Sequence, residues 1–222
     1  MKNKAENLNI PLFYLKNPIL QTVLSSMKIR NRGITPFEIE SREVLVDAGC
    51  GVRLTGFISS HDTSGEASGR GNSRKGLVIL LHGWEGSERS AYMVAAGRFF
   101  YPLGYDIFRL NLRDHGNSHH LNRGPFLGTL IDEAYGAVKR IIADYGSGGS
   151  FIIGFSMGAN FALRIAKLAG EEIAGGVRDG LPKKIIAVNP PLNPLTATEN
   201  IDRYFLIRKY FFVDFSKASR FD

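Results

Sequence analysis

Apolar and polar positions follow two rhythms along this chain, and the change between them predicts its architecture. Glu43 to Asp47 and Val52 to Ser59 alternate apolar with polar residues, the period of half-exposed strands, and Gly49 to Gly51 between them predicts an antiparallel hairpin at a sheet edge. From Gly76 onward the apolar residues come in unbroken runs, Leu77 to Leu81, Tyr105 to Leu112, Phe151 to Phe155 and Ile185 to Val188, as in strands buried on both faces. Helical stretches separate the runs. Ala91 to Tyr101 ends before Gly104, Leu127 to Tyr145 has apolar residues at helical spacing and stops at Gly146, and Met157 to Ala169 follows the third run directly. The fourth run stops at Asn189-Pro190-Pro191. Strands alternating with helices predict an α/β fold: a mostly parallel sheet, helices on both faces, right-handed crossovers and a site at the carboxyl ends of the strands.

Outside these blocks the pattern weakens. His61 to Gly76 is rich in Gly, Ser, Asn and charge and predicts an exposed loop. Residues 1–35 read as an N-terminal arm, with an apolar stretch from Ile10 to Leu24. Pro11, Lys16, Asn17 and Pro18 interrupt it, which spoils a spanning helix or a signal-peptide core and points to the cytoplasm. Packing on its own domain is the ordinary role for such an arm. Contact of Leu12, Phe13, Tyr14, Ile19, Leu20, Val23 and Leu24 with a membrane surface is the alternative.

Composition narrows the class. With 222 residues, 44% apolar and 22% charged, the chain is long enough for one buried core, and neither disorder nor a collagen-like repeat fits. The net charge of +7 is spread along the chain, and the aromatic run from Tyr204 to Phe215 is dense in apolar residues, so nucleic-acid binding is disfavoured. The single Cys50 forms no internal disulfide. With no His/Cys cluster at ligand spacing, no metal site and no cofactor are expected, and a reducing compartment is the default.

The chemistry concentrates in three loops. Gly154-Phe155-Ser156-Met157-Gly158 is a G-x-S-x-G pattern with an apolar strand before it and a helix after it, the context of a nucleophile elbow. A strained turn there lifts the Ser156 hydroxyl clear of the sheet, and Gly154 and Gly158 leave room where helix and strand approach. The helix N-terminus offers the Met157 N–H to an oxyanion. A second donor is expected from His82-Gly83-Trp84-Glu85-Gly86-Ser87 after the first parallel strand, where the glycines let backbone N–H groups, that of Trp84 foremost, face the serine. Asn111 to Ser118 forms a polar loop after the second.

These pieces together resemble the α/β-hydrolase superfamily, and more narrowly the YheT-like hydrolases. The narrower resemblance rests on Asn17-Pro18-Ile19-Leu20-Gln21-Thr22, the His82 to Ser87 loop and the Gly154 to Asn160 elbow, four motif segments with the Asn111 loop spanning most of residues 10 to 191. It implies a serine hydrolase acting on carboxylic or lipid acyl esters, with Ser156 as nucleophile and the Trp84 and Met157 amides as oxyanion hole. It also implies a core over 36–192 and the start of a helical cap over 193–222.

One departure from the pattern matters. Such triads run Ser, then Asp or Glu, then His, yet all five histidines, His61, His82, His115, His119 and His120, precede Ser156. Three explanations stand: a C-terminally incomplete piece of a longer hydrolase, a degenerate fold that only binds a ligand or partner, or a site rewired around an upstream histidine. The first is preferred, and nearly inactive material is expected from it. His82 reads as a structural tie for its loop, and His115, His119 and His120 as members of a polar loop. Asp114, Asp132, Glu133, Asp202 and Asp214 read as surface or ion-pairing carboxylates rather than a triad acid.

Overall fold

A computed structural model describes residues 33–61, 74–146 and 148–203. Most of the arm, the stretch after His61 and the aromatic run from Tyr204 lie outside the described residues. Six strands, β1 (Ser41–Gly49), β2 (Val52–Ser59), β3 (Gly76–Leu81), β4 (Tyr105–Leu110), β5 (Ser150–Phe155) and β6 (Lys184–Val188), make one sheet in the order β1-β2-β4-β3-β5-β6. β1, β2 and β4 pair antiparallel, and β4, β3, β5 and β6 pair parallel. The helices are α1 (Pro36–Ile39), α2 (Ala91–Phe100), α3 (Ile131–Tyr145), α4 (Met157–Ala174) and α5 (Pro194–Asp202), with a 3₁₀ turn at Tyr101–Leu103. The mostly parallel sheet carries helices on both faces, the α/β arrangement its sequence pattern predicts.

All six residues of β3 are buried, because alternate side chains enter two cores. Leu77, Ile79 and Leu81 join Val138 and Ile141 of α3 and Phe161 and Ile165 of α4, whereas Val78 and Leu80 join Met93 and Val94 of α2. β3 and β5 are neighbours, yet the chain leaves β3 for one face and β5 for the other. Their carboxyl ends therefore open a crevice at the point where the strand order reverses. At the far side of the sheet β6 is an edge among the described residues, with Ile186 51% and Val188 37% exposed.

The structure revises some boundaries. The helix expected from Leu127 starts at Ile131, because Leu127 to Leu130 forms a turn closed by the Leu130 N–H on the Leu127 carbonyl at 3.0 Å. α4 continues to Ala174, past the expected Ala169, through Gly170 and a Lys167–Glu171 pair one turn apart. α1 went unanticipated. Thr35 caps it in a reciprocal box with Glu38, and Arg98 of α2 holds the Glu38 carboxylate at 2.6 Å.

Candidate active site

Ser156 alone joins β5 to α4, and a strand can become a helix within one residue only through an unusual backbone conformation. Ser156 has φ 50° and ψ −117°, a region that non-glycine residues enter at a cost of about 1–3 kcal/mol. Packing enforces it. A Cβ on Gly154 would lie 2.2 Å from the Gly158 carbonyl oxygen, and one on Gly158 would lie 2.4 Å from the carbonyl oxygens of Leu81 and His82. The Ser156 N–H donates to the Val188 carbonyl at 2.9 Å, and its carbonyl accepts the Ala159 and Asn160 N–H groups.

Serine at an N-cap ordinarily folds its hydroxyl back onto the helix amides. Ser156 makes no such bond, and the residue is exposed. The Met157 N–H is among the first amides of α4, which have no intrahelical acceptor. The positive end of an 18-residue helix thus adjoins an exposed serine whose hydroxyl is not spent on capping it.

The loop after β3 comes against this elbow: a Cβ on Gly83 would lie 3.2 Å from the Ser156 Cβ. Gly83 to Gly86 is a β-turn, closed by the Gly86 N–H on the Gly83 carbonyl at 3.0 Å, with Glu85 at φ 53°. His82 sets its orientation. The ring is wholly buried, Nε2 accepts the Leu112 N–H at 3.1 Å, and Nδ1 therefore carries the proton and donates to the Gly83 carbonyl at 2.7 Å. That carbonyl points inward. No peptide bond here is cis, so the Trp84 N–H on the same peptide plane points the opposite way. Burial, reinforced by the neighbouring His115, pushes the His82 pKa down to about 3, and the ring stays neutral.

Residues beyond the motif clamp the rest of the loop. Asn111 accepts the Glu88 N–H at 2.8 Å while donating to the Thr55 hydroxyl at 3.1 Å, and Arg109 donates to the Glu88 carbonyl at 2.9 Å. Arg109 is itself fixed by the Ser41 hydroxyl and by the faces of Phe37 and Phe57. The Gly83 N–H donates to the Tyr92 hydroxyl at 3.0 Å. Asn111 opens the polar loop read from the sequence, whereas nothing local marks Arg109 or Tyr92; each acts through a partner far along the chain or on another element.

The histidines are dispersed. His61 lies near the amino end of β4, its backbone N–H on Asp106 and its ring stacked on Tyr101. Both ring nitrogens of His82 are engaged. His115 hydrogen-bonds the Arg113 carbonyl through Nδ1 and packs on His82 at 4.7 Å and on Phe126 at 5.0 Å, and burial lowers its pKa. His119 bonds Asp114 at 2.6 Å in an exposed loop, where His120 is also exposed. Among the described residues none of them hydrogen-bonds the Ser156 hydroxyl. Glu133 is held by Arg113, Asp202 is exposed on α5, and Asp214 lies outside the described residues. Among the described residues no group of three His, Cys, Asp or Glu is placed to hold a metal, and no helix is long and apolar enough to cross a membrane.

Comparison with known proteins bears on the fold. A family model described as the alpha/beta hydrolase fold matches residues 76–213. The multifunctional-autoprocessing repeats-in-toxin of Vibrio cholerae serotype O1 is 31% identical over 146 residues, and that of Vibrio vulnificus is 31% identical over 145. These matches cover 63% of this chain and 3% of each toxin. Among solved structures, an esterase of Pyrococcus furiosus is 22% identical with a TM-score of 0.59, over 84% of this chain and 65% of its own. A Butyrivibrio proteoclasticus protein with bound ferulic acid is 18% identical with a TM-score of 0.52, over 70% of this chain and 56% of its own.

Proposed function

The chain belongs to the alpha/beta hydrolase family, and on that premise we propose that it is a serine hydrolase of the YheT-like group, acting on carboxylic or lipid acyl esters through an acyl-enzyme at Ser156. The observation that carries the reading is the conformation of Ser156, a strained, exposed N-cap residue beside Gly83 whose hydroxyl makes no bond to its own helix. In the proposed reaction Oγ adds to the ester carbonyl carbon, and the carbonyl π pair moves onto oxygen, where the Trp84 and Met157 N–H groups hold it. The π bond re-forms as the C–O bond to the alcohol breaks and the departing alkoxide takes the proton given up by Oγ, and water then adds to the acyl carbon, expels Oγ and returns a proton to it. His82 and Gly83 orient the Trp84 amide, and Gly154 and Gly158 allow the turn.

A base is the part these 222 residues do not display, since no histidine follows Ser156. The proposal therefore includes impaired turnover, with the oxyanion hole and binding alone leaving on the order of 10³ to 10⁴ over the water reaction. The second reading, a ligand- or partner-binding module on a degenerate hydrolase fold, draws on the engagement of both His82 nitrogens elsewhere. An exposed, unpaired Cys50 suits a reducing compartment, and we read the setting as cytoplasmic.

A fluorophosphonate probe with mass-spectrometric site mapping tests the reading. Slow labelling of Ser156, lost in Ser156→Ala, is the expected result. Labelling confined to another residue, or none after prolonged exposure, would leave the binding module standing.

A further inference from the structure

Tyr92, in the first turn of α2, lies under the loop that faces Ser156. Its ring packs on Phe155, the residue before the nucleophile, with centroids 4.9 Å apart, and its oxygen accepts the Gly83 N–H at 3.0 Å. A Cβ on Gly83 would lie 3.2 Å from the Ser156 Cβ and 3.4 Å from both the Tyr92 hydroxyl oxygen and the Phe155 carbonyl oxygen, so the nucleophile and the phenol sit on the same side of Gly83.

A phenol both accepts and donates. The accepting side of Tyr92 is occupied by Gly83, which polarises the O–H and strengthens it as a donor. Among the described residues nothing accepts the hydroxyl proton, and the side chain is only partly buried. It is a held phenol with a proton to give, on the side of Gly83 where Ser156 lies.

Resting on the reading of Ser156 as nucleophile, we infer that Tyr92 is a third oxyanion donor. Its O–H hydrogen-bonds the substrate carbonyl oxygen as Ser156 adds to the carbon, alongside the main-chain amides, while its oxygen keeps the Gly83 peptide in place.

Titration with an aryl trifluoromethyl ketone, followed by fluorine NMR, tests this without turnover. Addition forms the Oγ–C bond, moves the carbonyl π pair onto oxygen and releases the hydroxyl proton to buffer, so the adduct carries the charge in question. The matching methyl ketone, which stays a neutral carbonyl, measures ordinary binding. Tyr92→Phe keeps the ring on Phe155 and removes only the hydroxyl. It is expected to weaken the adduct by about tenfold to a hundredfold, below the loss usual for a strong oxyanion donor, with methyl ketone affinity and thermal midpoint retained. Gly83→Ala, whose Cβ would crowd both Ser156 and the Tyr92 hydroxyl, is expected to abolish the adduct and serves if Tyr92→Phe fails to fold.

Unchanged adduct affinity in Tyr92→Phe, or an adduct that survives Gly83→Ala, overturns the inference. So does equal weakening of both ketones, because a hydroxyl that merely shapes the loop moves both alike. An adduct that survives Ser156→Ala instead defeats the nucleophile reading. If the wild-type chain forms no adduct, fluorophosphonate labelling separates the cases: with Ser156 labelled the Tyr92 inference alone falls, and without it both fall.

Discussion

The two ends of the parallel strands solve the same turning problem with different residues. At the amino ends, β3, β4 and β5 are entered through left-handed glycines: Gly76 (φ 142°), Gly104 (φ 93°), Gly148 (φ 69°) and Gly149 (φ 140°). At the carboxyl ends the left-handed positions include four that carry side chains, Glu85 (φ 53°), Asp114 (φ 61°), Ser156 (φ 50°) and Asn189 (φ 52°), one beyond each parallel strand. Glycine adopts such angles without strain, and other residues do not. One edge of the sheet therefore only reverses the chain, whereas the other holds side chains in positions the backbone resists, which is how strain concentrates where groups must be aimed.

The comparison breaks most visibly at the elbow. Gly158→Ala drives a Cβ into two main-chain oxygens that have no rotamer to retreat to. It should destabilise the chain by about 3 kcal/mol or more, read as a lowered urea midpoint; a loss under about 1 kcal/mol would show the helix and strand to be further apart than described.

Acid acts on the same edge. The pKa of His82 falls from its ordinary 6.5 to about 3 on folding. Between those values the unfolded chain binds a proton that the folded chain refuses. The stability from burying the neutral ring is thus complete above pH 6.5 and is lost as pH falls, by about 2–3 kcal/mol at pH 4.5. His115, lowered by its own burial, adds in the same direction. Denaturant midpoints of wild type and His82→Gln at pH 7.5 and 4.5 measure this, and the variant should show the smaller drop; equal drops would put the acid sensitivity elsewhere.

The smallest effects contrast the two ends directly. Gly104→Ala at the amino end should cost about 1–2 kcal/mol. Asn189→Gly at the carboxyl end should be neutral or stabilising by about 0.5 kcal/mol, relief of strain slightly exceeding the entropy lost by glycine. Thermal midpoints that moved the same way in both variants would erase the distinction between the edges.

Legibility in the sequence follows the range of the interactions involved. β3 could be read from Leu77 to Leu81 because burial on both faces is written into adjacent residues. The elbow could be read because strand, turn and helix are contiguous from Gly154 to Gly158. The start of α3 could not, since Leu127 and Leu130 fit the helical spacing while belonging to a turn. Nor could the supports of the facing loop. Arg109 looks like one polar residue inside an apolar strand, and its purpose is visible only once the Glu88 carbonyl, Ser41 and two aromatic faces surround it. Tyr92 occupies an ordinary helical position until packing brings Gly83 and Phe155 to it.

The Ser156 amide is anchored to the Val188 carbonyl, and Asn160 in the next turn of α4 to the Pro191 carbonyl at 3.0 Å. The reactive corner thus leans on β6, which among the described residues pairs with β5 alone. A shift of that strand would reach the serine through a single hydrogen bond, the one from its amide to the Val188 carbonyl.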